Sequence, residues 1–237
     1  MHAGPFKNTL LQHLPPQVIE RLHLRPIALE LKRDLEIPGQ AIKHIYFIEE
    51  GIGSMTTLFE DGTQVEVSMF GSESAIGISA LMGTRHSLNR VFMQLAGHGF
   101  TSPVSAAAAE FEKHGRFHAL ALRYVQAQLT QSTQNAACNA RHTHEQRLAR
   151  WLLICCDRAK QNKLEMAQEF VSEMLGSTRS TVSIAASGFK AKGLVEYSRG
   201  HIRILDEKGL EAEACECYRV VRDHLENLAE FDTGFVI

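Results

Sequence analysis

Apolar positions follow two rhythms along this chain. From residue 28 to about 104 they fall in short runs rich in β-branched and aromatic residues. Pro38-Gly39, Glu50-Gly51, Asp61-Gly62, Phe70-Gly71 and Gly97-His98-Gly99 punctuate those runs as expected turns. Short strands at this spacing predict a β-sandwich or a β-roll, and Asp61-Gly62 is a two-residue hairpin signal. Ahead of them, Leu11, Leu14, Val18, Ile19 and Leu22 predict one helix over residues 10–24, with Pro15-Pro16 near its start. From Ala106 glycines nearly vanish and the apolar step lengthens to three and four. A long helix from Phe117 to about His142 carries Leu122, Val125, Leu129, Ser132, Ala136 and Asn139 at a/d spacing, the seam of two paired helices. Packing of that face on the chain's own sheet is the competing reading.

The last third has a different grammar. Phe170, Val171, Met174 and Leu175 form the apolar stripe of a short helix over residues 167–175. Gly176 suits a tight turn that needs positive φ. Thr178, with Ser177 as its rival, is the N-cap of a second helix whose Val182, Ala185, Ala186 and Phe189 recur at i, i+3, i+4 and i+7. Arg179, Ser180 and Ser183 fall on the other face. Residues 193–197 and 201–205 then alternate as strands around Ser198-Arg199-Gly200. Helix, turn, helix and hairpin make a winged helix-turn-helix, whose second helix enters the DNA major groove. An arginine at the start of that helix matches guanine O6 and N7 with its fork of donors. A helical subdomain without nucleic acid is the bland alternative. Beyond the hairpin, Leu210, Ala214, Cys217, Val221 and Leu225 share a face, which predicts one solvated acidic tail helix.

The formal net charge of −2 disfavours DNA until it is divided along the chain. Residues 1–140 hold 11 Lys and Arg against 12 Asp and Glu; residues 141–205 hold 11 against 6; residues 206–237 hold 3 against 9. The positive excess lies where the motif lies, as phosphate contact requires. A length of 237 residues, 44% hydrophobic and 22% charged, allows two modest domains with cores of their own. No run of about eighteen apolar residues exists, so no membrane span is expected. Met1-His2-Ala3-Gly4-Pro5-Phe6-Lys7 lacks the apolar core of a signal peptide, so a cytoplasmic location with reduced thiols is expected. There is no nucleophile elbow, Walker loop or zinc-hydrolase pair, and no enzyme is expected.

The helix-turn-helix and wing, with Glu145-Gln146-Arg147-Leu148-Ala149-Arg150-Trp151-Leu152-Leu153 ahead of them, resemble the Crp/Fnr family of bacterial transcription regulators. The resemblance extends upstream through His44-Ile45-Tyr46-Phe47-Ile48-Glu49-Glu50-Gly51, Asp61-Gly62-Thr63, Phe70-Gly71 and Ile76-Gly77, and so runs from about Leu10 to the end of the wing. It implies an α+β chain in three parts. Residues 1–116 would form a jelly-roll-like antiparallel β-roll of the cyclic-nucleotide-binding type, serving as effector domain. Residues 117–143 would be a dimerisation helix, and residues 144–237 a winged helix-turn-helix with a carboxyl-terminal helix. The implied partners are double-stranded DNA, a second copy of the chain and RNA polymerase, with no membrane. The implied DNA contacts are Gln168, Thr178, Arg179, Ser180, Ser183, Ile184, Arg199 and His201. The seam residues from Leu122 to Asn139 would form the dimer interface. The implied effector pocket takes Ile76, Gly77, Ile78, Arg85, Asn89, Arg90, Ser132 and Thr133.

At the effector site the chain departs from the pattern. Members that bind cyclic AMP carry a glutamate after Ile-Gly, to hold the ribose hydroxyl, and an Arg-Ser or Arg-Thr pair, to meet the phosphate. Here Ile78 follows Ile76-Gly77, and Arg85-His86-Ser87-Leu88-Asn89-Arg90 contains no such pair. Isoleucine would leave the ribose hydroxyl unpaired, so cyclic AMP is not expected and the effector is left unknown. A β-roll that serves only as scaffold, with constitutive DNA binding, and a haem or redox sensor are the other readings. No cysteine precedes Cys138, so the family's iron–sulfur cluster is not expected. Cys155 and Cys156, on an apolar helix face, read as buried structural thiols. Cys215 and Cys217, two apart on the expected tail helix, would not face each other. His114 and His118 have a clamping i, i+4 spacing but no evident acidic or thiol partner, and no metal site is expected.

Overall fold

Two long strands set the architecture, β3 (His44–Leu58) and β6 (Arg90–Pro103), which pair antiparallel along nearly their whole length. In the computed structural model, which describes residues 6–198 and 200–229, the sheet runs β1-β6-β3-β4. Here β1 is Arg25–Leu29 and β4 is Gln64–Phe70. Two short strands complete the roll: β2 (Asp34–Glu36) on β6 and β5 (Ala75–Ile76) on β3. Asp61-Gly62 lies in the β3–β4 turn as expected, but the loop spans residues 59–63 instead of two, closed by the Phe59 amide on the Thr63 carbonyl at 2.9 Å. Gly62 takes φ +83°, and Asp61 Oδ1 accepts from the Thr63 amide at 2.9 Å.

Glu50-Gly51 and Gly97-His98-Gly99 are not turns. Both lie within the long strands, where the pairing register shifts three times between Ile48 and Gly53. A Cβ on Gly97 would stand 1.8 Å from the Glu50 carbonyl oxygen, and one on Gly99 2.2 Å from that of Phe47. These glycines permit bulges and close strand approach. The amino-terminal helix is likewise two pieces, α1 (Thr9–Gln12) and α2 (Pro16–Arg21). Pro16 forces Pro15 into extended backbone, at φ −61° and ψ 149°, and the helix restarts.

A short α3 (Val104–Phe111) leads into the 26-residue α4 (Arg116–Arg141). One face of α4, with Phe117, Leu120, Ala121 and Tyr124, closes a core with Leu10, Leu14, Phe47 and Ile78. The a/d seam lies on a different face: Leu122 is 43% and Leu129 62% exposed. Ala136 and Asn139 are exposed, and Val125 and Ser132 half-buried.

His142 breaks the helix and Thr143 caps α5 (His144–Ala159) with a capping box to Gln146. Around α5 pack α6 (Gln168–Met174), α7 (Arg179–Ala191) and a sheet ordered β7 (Lys163–Leu164), β9 (His201–Ile204), β8 (Val195–Ser198). The strand β7 was not foreseen; two residues give no periodicity to read. Ile52, Met69 and Phe92 of the roll join the same core as Leu152, Val171, Val182 and Phe189, so roll and carboxyl-terminal unit share apolar contact. The tail helix is also two helices, α8 (Glu207–Glu213) and α9 (Cys217–Glu226), because Ala214 turns extended at ψ 159°. No helix among the described residues is long and apolar enough to cross a membrane.

Candidate nucleic-acid interface

The second helix of the motif begins where its sequence says. Thr178 is extended at φ −85°, and its hydroxyl accepts from the Thr181 amide at 3.2 Å, satisfying one orphan donor of the first turn. Gly176 takes φ +55° in the preceding turn. Val182, Ala185, Ala186 and Phe189 are buried, which fixes the rotation of α7. That rotation leaves Arg179 and Ser180 exposed, and Ile184 69% exposed. An open cleft lies between the start of α6, the outer face of α7 and the hairpin, lined by Gln168, Arg179, Lys190, Tyr197, Ser198 and Gly200.

The remaining expected contacts are tied to one another. Gln168, the first residue of α6, accepts from the Ser183 hydroxyl at 2.9 Å, so these two brace α6 against α7. The Ser180 and Thr178 hydroxyls are 2.9 Å apart. His201 opens β9 opposite Ser198, with its Nδ1 3.9 Å from Glu165. Arg199 lies outside the described residues. A support missed by sequence reading comes from α5: the buried Arg147 guanidinium donates to the Leu175 carbonyl and holds the end of α6 at the turn. Arginine at that position carries no local signal that distinguishes a brace from a surface charge.

A buried polar seam joins the roll, α4 and α5. The Arg158 guanidinium pairs with Glu73 at 2.8 Å and donates to Gln131 at 2.6 Å; Gln131 donates to Ser68 at 2.7 Å. Arg150 donates to Asn135, whose amide donates to the Val67 carbonyl at 2.9 Å. Burial opposes ionisation of Glu73, but Arg158 outweighs it and holds that carboxyl below the usual range. Glu66 accepts from Trp151 Nε1 at 2.9 Å and from the Ser54 hydroxyl, yet its burial pushes its pKa up to about 7. A second bridge runs over the surface. Arg90 pairs with Asp34 at 2.8 Å, lies 4.6 Å over the Phe92 ring and donates to Gln64; Gln64 in turn donates to Glu173 of α6 at 2.9 Å.

The residues expected to form an effector pocket occupy separate settings. Ile76 and Ile78 are buried in two different apolar clusters. Arg90 is engaged by Asp34, on the side facing α6. Arg85 is exposed, and Asn89 offers its carbonyl to Ser87 at 2.8 Å. Thr133 donates back to the Leu129 carbonyl of its own helix at 3.0 Å, beside Ser132. Gly77, at φ +90°, starts a short 3-10 helix, Ile78–Met82, and the nearby buried Glu36 accepts from the Ser87 hydroxyl.

Known proteins share this geometry. Residues 146–213 match the model of the Crp-like helix-turn-helix domain. A global nitrogen regulator from Nostoc sp. is 21% identical over 216 residues, which is 85% of this chain and 91% of that protein. Among solved structures, a transcriptional regulator of the crp/fnr family from Eubacterium rectale has a TM-score of 0.69 at 16% identity, over 86% of this chain and 97% of its own. FixK2 from Bradyrhizobium japonicum has 0.70 at 15% identity, over 81% and 98%. The fold is a β-roll joined through a long helix to a helix-turn-helix. Residues 146–213 thus carry a Crp-like helix-turn-helix domain, and the chain as a whole has the fold seen in regulators of the Crp/Fnr family.

Proposed function

We propose that the protein is a homodimeric, sequence-specific DNA-binding regulator whose β-roll takes a signal other than cyclic AMP. The observation that carries this is the outward face of α7. Val182, Ala185, Ala186 and Phe189 are spent on the core, while Arg179, Ser180 and Ile184 are exposed, with Arg179 lining the open cleft beside the hairpin. Arg179 reads a guanine, Ile184 meets a thymine methyl, and Ser183 and Gln168 brace the helix at the groove. The exposed Leu122 and Leu129 on α4 pair with their counterparts in a second copy. Cyclic AMP is disfavoured because the buried Ile78 offers no hydrogen bond to a ribose hydroxyl and Arg90, a candidate phosphate partner, is already paired with Asp34. A dimer presents two α7 helices, so selection from random duplexes followed by footprinting is expected to give two-fold symmetric sites with half-site centres about 34 Å apart. A single asymmetric half-site would refute the dimeric reading.

A further inference from the structure

We propose that Cys138, His142, Cys215 and Cys217 bind one divalent metal ion of the zinc class, in a Cys3His site that clasps the end of α4 to the start of α9. The three sulfurs and the imidazole nitrogen lie within 4.8 Å of one another. Cys138 Sγ is 3.5 Å from Cys215 Sγ, and Cys217 Sγ is 3.5 Å from His142 Nδ1. A tetrahedral zinc ion with Zn–S of about 2.3 Å and Zn–N of about 2.0–2.1 Å spans edges of about 3.8 Å between sulfurs and about 3.6 Å from sulfur to nitrogen. Both observed separations therefore match edges of that tetrahedron.

The chain builds the cluster from two sides. Cys138 and His142 are four apart, on one face at the end of α4. Cys215 and Cys217 do not share a helix: the chain leaves α8 at Ala214, and Cys217 opens α9, so both sulfurs turn toward α4. All three cysteines are buried in one cluster of their own. The outer contacts also suit a metal. With Nδ1 facing the thiols, His142 presents Nε2 to Glu216 Oε2 at 3.3 Å, the carboxylate–imidazole arrangement that fixes tautomer and ring orientation. Gln134 Nε2 donates to Cys217 Sγ at 3.0 Å and supports a thiolate there.

Three thiolates select a soft divalent ion over magnesium, calcium or manganese, and four protein ligands leave no position for substrate, which defines a structural site. On binding, each thiol releases its proton to solvent and each sulfur donates a lone pair; no electron is transferred. A Cys138–Cys215 disulfide would use two of the four groups and leave Cys217, His142 and Glu216 without a common purpose. His142 also ends α4 one residue before the Thr143 cap of α5. The clasp therefore sits at the joint between the long helix and the DNA-reading unit.

The test uses full-length protein, purified under reducing conditions, stripped with a chelator, and titrated with zinc and separately with cobalt(II). Elemental analysis is expected to give one zinc per chain, and the cobalt form the strong visible bands of tetrahedral coordination with a thiolate charge-transfer band. Cys215→Ser and Cys217→Ser should each abolish the charge-transfer pattern of three thiolates and weaken the site by more than 100-fold. Glu216→Gln, a change at an exposed side chain, should keep the stoichiometry and lower affinity about 10–100-fold. Cys156→Ser should change nothing. No stoichiometric zinc, an octahedral cobalt spectrum, unchanged binding in the cysteine variants, or a Cys138–Cys215 disulfide found by peptide mapping of the reduced preparation would each overturn the proposal. DNA binding is measured in parallel, so loss of the metal site alone leaves the regulator reading standing.

Discussion

In the proposed function, Arg179 is the residue on which DNA reading turns. It is the first residue of α7, exposed, directly after the Thr178 cap, at the helix end that a helix-turn-helix presents to the major groove. Arg179→Ala is expected to cost about 1–3 kcal/mol on the cognate site and to relax specificity at one base pair. Titrations on cognate and scrambled duplexes at several salt concentrations check this; equal losses on both would make it a phosphate contact. Glu66 matters in another way. Burial raises its pKa to about 7 in the folded chain, against an ordinary 4.5. Below pH 4.5 the carboxyl is protonated in both states and imposes no cost. Between pH 4.5 and 7 the folded state holds its proton longer, so stability falls as pH rises, and above pH 7 the full cost of order 3 kcal/mol is present. Glu66→Gln, which keeps an oxygen to accept from Trp151, should therefore raise the melting temperature at pH 8 and leave it nearly unchanged at pH 4.5. Equal shifts at both pH values would show that the carboxyl titrates normally.

At the scale of elements, α4 divides its surface between two tasks. Its Phe117, Leu120, Ala121 and Tyr124 face belongs to the roll, while Leu122 and Leu129 remain uncovered within one chain. Leu129→Glu is expected to leave the folded protomer intact and drive a dimer to monomers, because it sets two like charges across the seam. Light scattering on the eluting species reads this directly; an intact dimer would move the self-association surface elsewhere. The 3.5 periodicity singled out an exposed face. It did not show the face toward the roll, where Gln131 and Asn135 gain meaning only from their hydrogen bonds to β4.

For the whole molecule, roll and DNA-reading unit meet through a shared core and through the Arg158, Arg150 and Arg90 bridges. If the roll takes a signal, as proposed, these contacts are the ones that connect it physically to α5 and α6. Cyclic AMP at micromolar concentration is expected neither to bind nor to tighten DNA association, as calorimetry and DNA titration with the nucleotide present would read. A clear micromolar isotherm would overturn it and direct attention to Arg85, the exposed arginine of the β5–β6 connection.

The sequence by itself determined the elements whose causes are local. A threonine cap, a turn glycine and an i, i+3, i+4, i+7 stripe specify α7 and its outward face, because helix caps and amphipathic rotation depend on residues within two turns. Alternation specified the hairpin. What depends on distant partners was decided only by the tertiary structure. Gly97 and Gly99 read as turns until β3 lies against them and requires the missing Cβ. Cys215 and Cys217 read as opposed on one helix until Ala214 breaks it and α4 brings Cys138 and His142 alongside; the i, i+4 spacing of that second pair was the one local trace of the cluster. Arg147 and Arg158 carry no local sequence signal of their burial; the Leu175 carbonyl and Glu73 meet them only in the folded interior. Local chemistry writes periodicity into a sequence; a contact across 77 residues, such as Cys138 with Cys215, leaves no period to find.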